Sequence, residues 1–439
     1  MAGMIDIPVG DPQAVKVFSR FVFSQVQSAP GFMKLLSSAP PRLTEDMPYI
    51  QTDTGTPVVK AMNLGKGKGD TIQFTLYNIF TGKPVMGSAN MEGKMMNATS
   101  STKTVRVDQS RGGTQIDEMS RYRTVNDLRM VGVRGLRNWG VRIEDQRCLV
   151  HLAGARGAQN FNDWCIPYQT DPDFSSIMVN TVQAPTKNRR FIAGSNGHTS
   201  VSTMTITDVL SLSDVGTIAA MVKQSSIPIM PVQYDADPYK WDKPMWVLFV
   251  SETQWELMKR PSAMVNWNAA ATNAIKRFDG AERHPLFAGD GIMWNGILVK
   301  PLGRYAITFN PGDSVTEDSG GSDGGTYTET TATVPTTAAS VGSGVANGSN
   351  FCVDRAILVG AQALMKAYGD VGSDSYFWQW DEEYKDFKDK LAMVVKMVEG
   401  TQKVRFRINN VDTDHGVAVI DSYAPPLNTA EYKAAMLLP

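Results

Sequence analysis

The most regular spacing of apolar and polar positions lies between Arg121 and Arg156, RYRTVNDLRMVGVRGLRNWGVRIEDQRCLVHLAGAR. At 100° per residue, Val125, Leu128, Gly132, Leu136, Trp139, Ile143 and Val150 fall within a stripe about 80° wide. Arg123, Arg129, Arg134, Arg137, Arg142 and Arg147 occupy the rest of the surface, and Arg123/Asp127 and Glu144/Arg147 have the spacing of helical ion pairs. Gly154 and Gly157 supply a stop. The pattern predicts one long helix, placed at residues 123–153, whose roughly 30 residues make a rod about 45 Å long. With so narrow an apolar stripe, such a rod suits a spine laid along a sheet better than a helix enclosed by a core.

Period-two patterns flank it. Asp70 to Tyr77 alternates, with Ile72, Phe74 and Leu76 on one face and Thr71, Gln73 and Thr75 on the other, and Thr102 to Gln109 sets Val105 and Val107 against Arg106 and Asp108. The roughly 24 residues between these strands exceed an ordinary hairpin loop. They carry Met86, Met91, Met95 and Met96, side chains suited to an adaptable contact with a neighbouring protomer. Further on, Ile206 to Gln224 reads as one or two helices and Pro244 to Val250 as a buried strand. Ser251 with Gln254 has capping-box spacing, and Gly296 to Lys300 is a short strand. Residues 262–290 read as polar and turn-rich. Arg355 to Ala363, Leu391 to Val398, Val404 to Ile408 and Val417 to Ile420 supply the remaining apolar stretches. Helices and strands do not alternate strictly, so the class is α+β. Residues 1–55, rich in proline around a helical stretch at Ala14 to Gln27, read as an extended arm. Asp313 to Asn350 is a low-complexity tract of Gly, Ser, Thr and Ala that reads as an inserted surface loop.

Composition narrows the classes. The chain has 439 residues, 42% hydrophobic and 20% charged, with a net charge of -1. That balance is globular and gives no general reason for nucleic-acid or membrane binding. Cys148, Cys165 and Cys352 have neither zinc-site nor disulfide-framework spacing and read as reduced core residues. No signal peptide opens the chain and no apolar run is long enough to span a bilayer, so a cytoplasmic origin is expected.

Templates for chemistry fail in turn. Gly65 to Asp70 (GKGKGD) lacks phosphate-loop spacing and precedes a strand. His151, His198, His284 and His415 are far apart, which disfavours a zinc site. Asp318 to Gly325 lacks the spacing of a calcium loop. Asp381, Glu382 and Glu383 could act as acid and base in a soluble hydrolase, but three consecutive residues cannot all face one substrate. No catalytic residue, metal or cofactor is therefore assigned.

Six pieces occur in order over roughly residues 55–425: GDTIQF (Gly69–Phe74), the long-looped hairpin, the Arg-rich helix ending LAGARG, WVLFVSETQWELM (Trp246–Met258), RAILVGAQA (Arg355–Ala363) and WDEEYKDFKDK (Trp380–Lys390). Together they resemble the major capsid proteins of tailed bacteriophages related to phage N4. The chain departs from that family at Asp386 to Lys390, where a DYGNK-like end is common, and across Asp313 to Asn350, which has no counterpart. The resemblance implies an HK97-like capsid fold: an N-terminal arm (1–55), an extended E-loop hairpin (56–118), a peripheral domain with the spine helix (119–204), an axial domain that includes the 313–350 insertion (205–372), and return strands with a C-terminal tail (373–439).

It further implies self-assembly into hexamers and pentamers of an icosahedral virion shell around double-stranded DNA, formed in the bacterial host cytoplasm, with portal and scaffolding or decoration proteins as partners and no membrane. Phe74, Leu76, Met86, Met91, Met95 and Met96 are the residues through which the E-loop is expected to touch a neighbouring protomer. Arg129, Arg134, Arg137 and Arg142 are expected to form ion pairs between protomers or face DNA phosphate. The competing classes are the hydrolase built on Asp381, Glu382 or Glu383, and another virion component such as a tail or decoration protein, which would be richer in β-structure.

Overall fold

The structure is a computed structural model of the full chain. It describes residues 4–5, 36, 55–64, 70–77, 83–88, 90–95, 100–124, 127–159, 163–194, 196–225, 227–233, 243–260, 264–278, 291–320, 325–336, 351–369, 379–408, 410–427 and 429–437. The strands in the first half are β1 (Met4–Ile5), β2 (Val58–Leu64), β3 (Thr71–Tyr77), β4 (Ser100–Arg106), β5 (Asp108–Asp117), β6 (Arg190–Ile192) and β7 (Trp246–Val250). Those that follow are β8 (Ile292–Trp294), β9 (Ile297–Pro301), β10 (Ile307–Phe309), β11 (Ser314–Asp318), β12 (Glu329–Thr333), β13 (Val353–Val359), β14 (Leu364–Gly369), β15 (Gln379–Lys385), β16 (Lys390–Lys403), β17 (Arg405–Ile408), β18 (Val411–Asp414) and β19 (Val417–Tyr423).

One sheet runs β1-β5-β16-β14-β2, with β15 also paired to β16. The length of β16 makes this arrangement fit: residues 390–396 pair with β15 and residues 399–403 with β14, while β5 takes the opposite edge along 390–399. The second sheet runs β6-β19-β13-β7-β9-β8, with β10 added to β13. Its central strands are apolar on both faces, as strands covered on both sides must be. In β7, Val247 and Phe249 join one core and Trp246, Leu248 and Val250 the other. Three two-stranded hairpins complete the set: β3–β4, β11–β12 and β17–β18.

The spine is present but starts later than its periodicity implies. A short helix, Glu118–Arg123, ends at extended Thr124, and the long helix runs from Leu128 to Ala153. The reason is local: the Asp127 side chain accepts a hydrogen bond from the Met130 amide and caps a new first turn. Gly154, at φ 69°, ends the helix as expected. Leu128, Gly132, Leu136, Gly140 and Ile143 are buried, and Leu128 and Leu136 pack with Ile116, Leu391, Met393 and Val395 on the first sheet, with Trp139 against them. Fit is tight, since a Cβ at Gly112 of β5 would lie 2.4 Å from Trp139 Cζ3 and one at Gly132 would lie 2.4 Å from Met393 Cε.

Beyond Ile143 the single-stripe picture is replaced. Every residue from Asp145 to Ala153 is buried, because this half of the helix is enclosed by the second core. Cys148, Leu149, Leu152 and Ala153 join the cluster that contains Val247, Phe249 and Ile357. Val150 belongs to a separate group with Ile166, Phe174 and Met178, and not to the stripe that faces the first sheet. Val125, the first stripe residue, lies outside the described residues, as does the helical stretch at Ala14 to Gln27.

Two other expectations change. The polar stretch 262–290 contains a helix, Met264–Phe278, in which Ala270 is buried and packs with Trp255 and Met258. The low-complexity tract begins as an anchored hairpin: β11 pairs with β12 from Ser314↔Thr333 to Asp318↔Glu329, and Val315, Ala332 and Val334 are buried. Glu317 is buried too, pairing with Arg190 Nη1 at 2.6 Å and accepting from Ser200 Oγ and the Val201 amide at 2.8 Å each. A buried carboxylate with such partners fixes the hairpin to the body, which a count of apolar residues cannot reveal.

Candidate assembly surfaces

The β3–β4 hairpin is antiparallel from Thr71↔Arg106 to Tyr77↔Ser100. Its base is fixed by Ile72, Val105 and Val107, packed with Ala61, Met365, Ala367, Val404 and Phe406. Phe74, partly buried, packs against the same cluster of its own protomer. Leu76 continues β3 opposite Ser101. Past the base, Met86, Met91 and Met95 are 77%, 50% and 74% exposed; Met96 lies outside the described residues. Gly87 and Gly93 take positive φ, which lets the segment turn without side-chain strain.

The outer face of the spine splits its four candidate arginines. Arg129 grips Glu382 with two nitrogens, Nη2 at 2.8 Å and Nε at 3.1 Å from Oε1. Arg142 is half-buried and lies beside Cys165, whose thiol burial pushes up and Arg142 partly restrains. Arg134 and Arg137 are exposed. Arg129 is exposed as well but engaged by Glu382.

The acidic run is divided by strand alternation. Glu382 faces the spine, receiving both Arg129 and Trp380 Nε1, and those hydrogen bonds hold its carboxyl below the ordinary range. Asp381 is exposed and pairs with Lys396 at 3.4 Å. A depressed carboxylate is the opposite of the raised one a general acid needs. The following turn, Asp386 to Lys388, has three non-glycine residues at φ 52°, 55° and 77°, and Phe387 at its apex is fully exposed. Three left-handed residues in a row are costly, and the turn presents an aromatic ring to the outside.

Behind these surfaces the frame is held by buried charge that period counting does not detect. Arg147 Nη1 meets Glu399 Oε1 at 2.5 Å and its Nη2 donates to Ser110 at 2.8 Å. Lys366 reaches Glu399 Oε2 at 2.8 Å and also pairs with Glu144. Glu144 and Arg147 thus each bond a strand of the first sheet, not each other. Burial alone would lower the Lys366 ammonium; Glu144 and Glu399 outweigh it and raise the group well above its ordinary value. The same exchange holds Glu399 low despite burial. Cys148 nearby is pushed up to about 12 by burial, so its thiol stays protonated.

A second buried set ties the spine to the other sheet. Arg355 Nε and Nη2 contact Asp421 Oδ1 and Oδ2 at 2.7 and 2.9 Å, and Arg355 Nη1 donates to the Ala153 carbonyl at 3.0 Å. One of the last helical carbonyls, which has no partner within the helix, is thereby satisfied. Next to it, Asp354 accepts from Ser251 and Thr308, and burial pushes it up to about 6. Ser251 caps the helix Glu252–Leu257 with the expected capping box. The one visible hint is charge inside otherwise apolar strands, the adjacent Asp354 and Arg355 of DRAILV and the single Lys366 of LMKAYG.

Among the described residues no set of His, Cys, Asp and Glu is arranged to hold a metal, and no helix is long and apolar enough to cross a membrane. A chain with reaching loops, exposed methionine and aromatic tips and a braced frame is built for contact with other protein surfaces. Solved structures share the frame. The capsid of Ralstonia phage GP4 superposes with a TM-score of 0.71 at 22% identity, over 97% of this chain and 99% of that one. The cyanophage Pam1 capsid follows at 0.59 and 17%, covering 96% and 100%, and the capsid of Helicobacter pylori bacteriophage KHP30 at 0.55 and 12%, covering 92% and 93%. The fold is that of HK97-like capsid proteins, the structural proteins of a virion shell.

A sequence model of the phage capsid proteins matches residues 6–426, and the chain belongs to that family. It is a major capsid protein, located in the virion capsid and associating with copies of itself. No curated protein matches it.

Proposed function

We propose that this chain forms the hexamers and pentamers of an icosahedral shell that encloses double-stranded DNA and is assembled in the bacterial host cytoplasm, alongside a portal and scaffolding or decoration proteins. The role is structural, not enzymatic. Residues 1–55 form the N-terminal arm, residues 56–118 the E-loop hairpin, residues 119–204 the peripheral domain with the spine, residues 205–372 the axial domain, and residues 373–439 the return strands of the peripheral domain and the C-terminal tail. The observation that carries this reading is the exposure of Met86, Met91 and Met95 beyond a base packed firmly on its own protomer. Exposed methionines in that number serve an adaptable apolar contact, and a shell gains its stability from many modest contacts of this kind.

Arg134 and Arg137 are the arginines through which the spine meets a neighbouring protomer or DNA phosphate; Arg129 and Arg142 already engage groups of their own chain. Sedimentation velocity with negative-stain imaging tests the reading. The full chain, alone or with scaffolding factors, yields capsomer rings or megadalton shells, and Met86→Ser/Met91→Ser/Met95→Ser yields folded protomers that do not close into shells. A stable monomer under every condition would refute it.

A further inference from the structure

At the base of the β3–β4 hairpin, where β4 meets β17–β18 and the segment 325–328 that leads into β12, the surface recedes into a cavity of about 390 Å³. Lys103, Arg405, Arg407, Gln183, Tyr327 and Asp412 line it. Arg405 is its innermost cation, with a side chain only 6% exposed. Its Nε donates to Asp414 Oδ1 at 2.7 Å and its Nη2 to the Ala184 carbonyl at 2.5 Å. Its plane lies over the Tyr327 ring, 4.0 Å from the centroid. The buried Nη1 is left without a hydrogen-bond acceptor of good geometry, which is unusual for a guanidinium.

The surrounding charges do not balance. Lys103, Arg405 and Arg407 line the recess, and Lys403 and Arg189 lie behind Arg405 around Asp414. Asp414 already serves Lys403 at 3.1 Å as well as Arg405. Asp412 accepts from the Tyr327 amide at 2.9 Å, and Glu329 accepts from the Tyr327 hydroxyl at 2.6 Å. Of the charged groups that line the recess, three are cations, Lys103, Arg405 and Arg407, and one is a carboxylate, Asp412, in a place where water screens less than in the open. Burial and the charge of Arg405 both hold the Lys103 ammonium below its ordinary value. An added anion would relieve the repulsion among Lys103, Arg405 and Arg407.

We propose that this recess binds a small tetrahedral oxyanion of the phosphate class, held by Lys103 and Arg407 at the mouth with Arg405 behind them. Phosphate geometry matches two cationic side chains that converge from different strands. The ligand is the free ion, not the backbone of a duplex, because the walls are three hairpins and the deepest cation is almost wholly enclosed. Once bound, the ion clips the base of the projecting β3–β4 hairpin to β17–β18 and to the segment before β12. The site stands independently of the assembly reading.

The test uses the full-length, unassembled chain and inorganic phosphate, titrated against sodium chloride at matched ionic strength and pH, with thermal melting and phosphorus NMR line width as readouts. The expected result is a saturable rise in Tm on the order of 3 °C with broadening of the phosphate signal. Lys103→Gln/Arg407→Gln abolishes both, whatever its own Tm in chloride. If the double variant does not fold, Arg407→Gln alone, at an exposed position, carries the same comparison. Equal melting in phosphate and chloride overturns the proposal, as does a variant that keeps the response. A response to a short DNA duplex but not to inorganic phosphate also overturns it.

Discussion

Replacing Arg355 by methionine tests the buried ion pair that links β13 to β19 within the second sheet and also holds the last carbonyl of the spine. The pair is fully enclosed on both sides, 0% exposed for each side chain, and bidentate, with an added bond to the Ala153 carbonyl. Removing one partner leaves the Asp421 carboxylate buried with no cation, and such a loss costs about 3–5 kcal/mol. Methionine keeps most of the volume, so the cavity contribution is small. Against a stability of about 5–15 kcal/mol for a domain, this is a large fraction. Urea denaturation of the unassembled chain measures it. The double variant Arg355→Met/Asp421→Leu removes the stranded charge and should recover at least half of the loss; since Asp421→Leu alone strands Arg355 at a similar cost, the double-mutant cycle should give a coupling energy of at least about 4 kcal/mol. Arg355→Lys should fall between, since an ammonium cannot reproduce the two-pronged contact. If the double variant is as unstable as Arg355→Met, or the single variant is neutral, the pair does not stabilise the second sheet in the way described.

Two more predictions concern the frame. His151 is buried among cations and is held down to about 3, chiefly by burial. The unfolded chain therefore takes up a proton below about pH 6.5 that the folded chain refuses, and stability falls as pH drops, by about 2 kcal/mol at pH 5 from this group alone. Glu399, held below its ordinary value, contributes stability that is present above about pH 4.3 and is lost as pH falls through its lower folded value. His151→Gln should flatten the dependence between pH 6.5 and 5 in urea titrations; an unchanged slope contradicts the assignment. Gly112→Ala places a methyl 2.4 Å from Trp139 and should cost about 1–3 kcal/mol, largely recovered by Trp139→Leu. A neutral Gly112→Ala refutes the close fit of spine and sheet.

Much of the frame could be read from periodicity, and the failures have a common cause. The spine, the β3–β4 hairpin and the apolar central strands were legible because burial there is carried by apolar residues at helical or strand spacing. The helix start was misplaced because Asp127 interrupts an otherwise continuous apolar rhythm with a cap. The buried charges were illegible for a different reason: Arg147 and Glu399 are 252 positions apart, so neither residue's local sequence reveals its partner. The 313–350 tract misled in the same way, since Glu317 reads as solvated until Arg190 and Ser200 are seen around it. Among the candidate contact residues, the exposed methionines follow from the excess length of the loop. The partial burial of Phe74 depends on distant Val404 and Phe406, which spacing within β3 cannot show.

The spine belongs to two cores at once: its first half rests on one sheet and its second half is enclosed by the other. A 26-residue helix is about 39 Å of stiff rod, and no flexible linker separates the two attachments. The protomer therefore lacks a hinge at the place where its two sheets meet. Any rotation between them must bend the rod or break the Arg355 contact at its end. Mechanically the helix is a beam held at both ends, so a load on one sheet reaches the other through it.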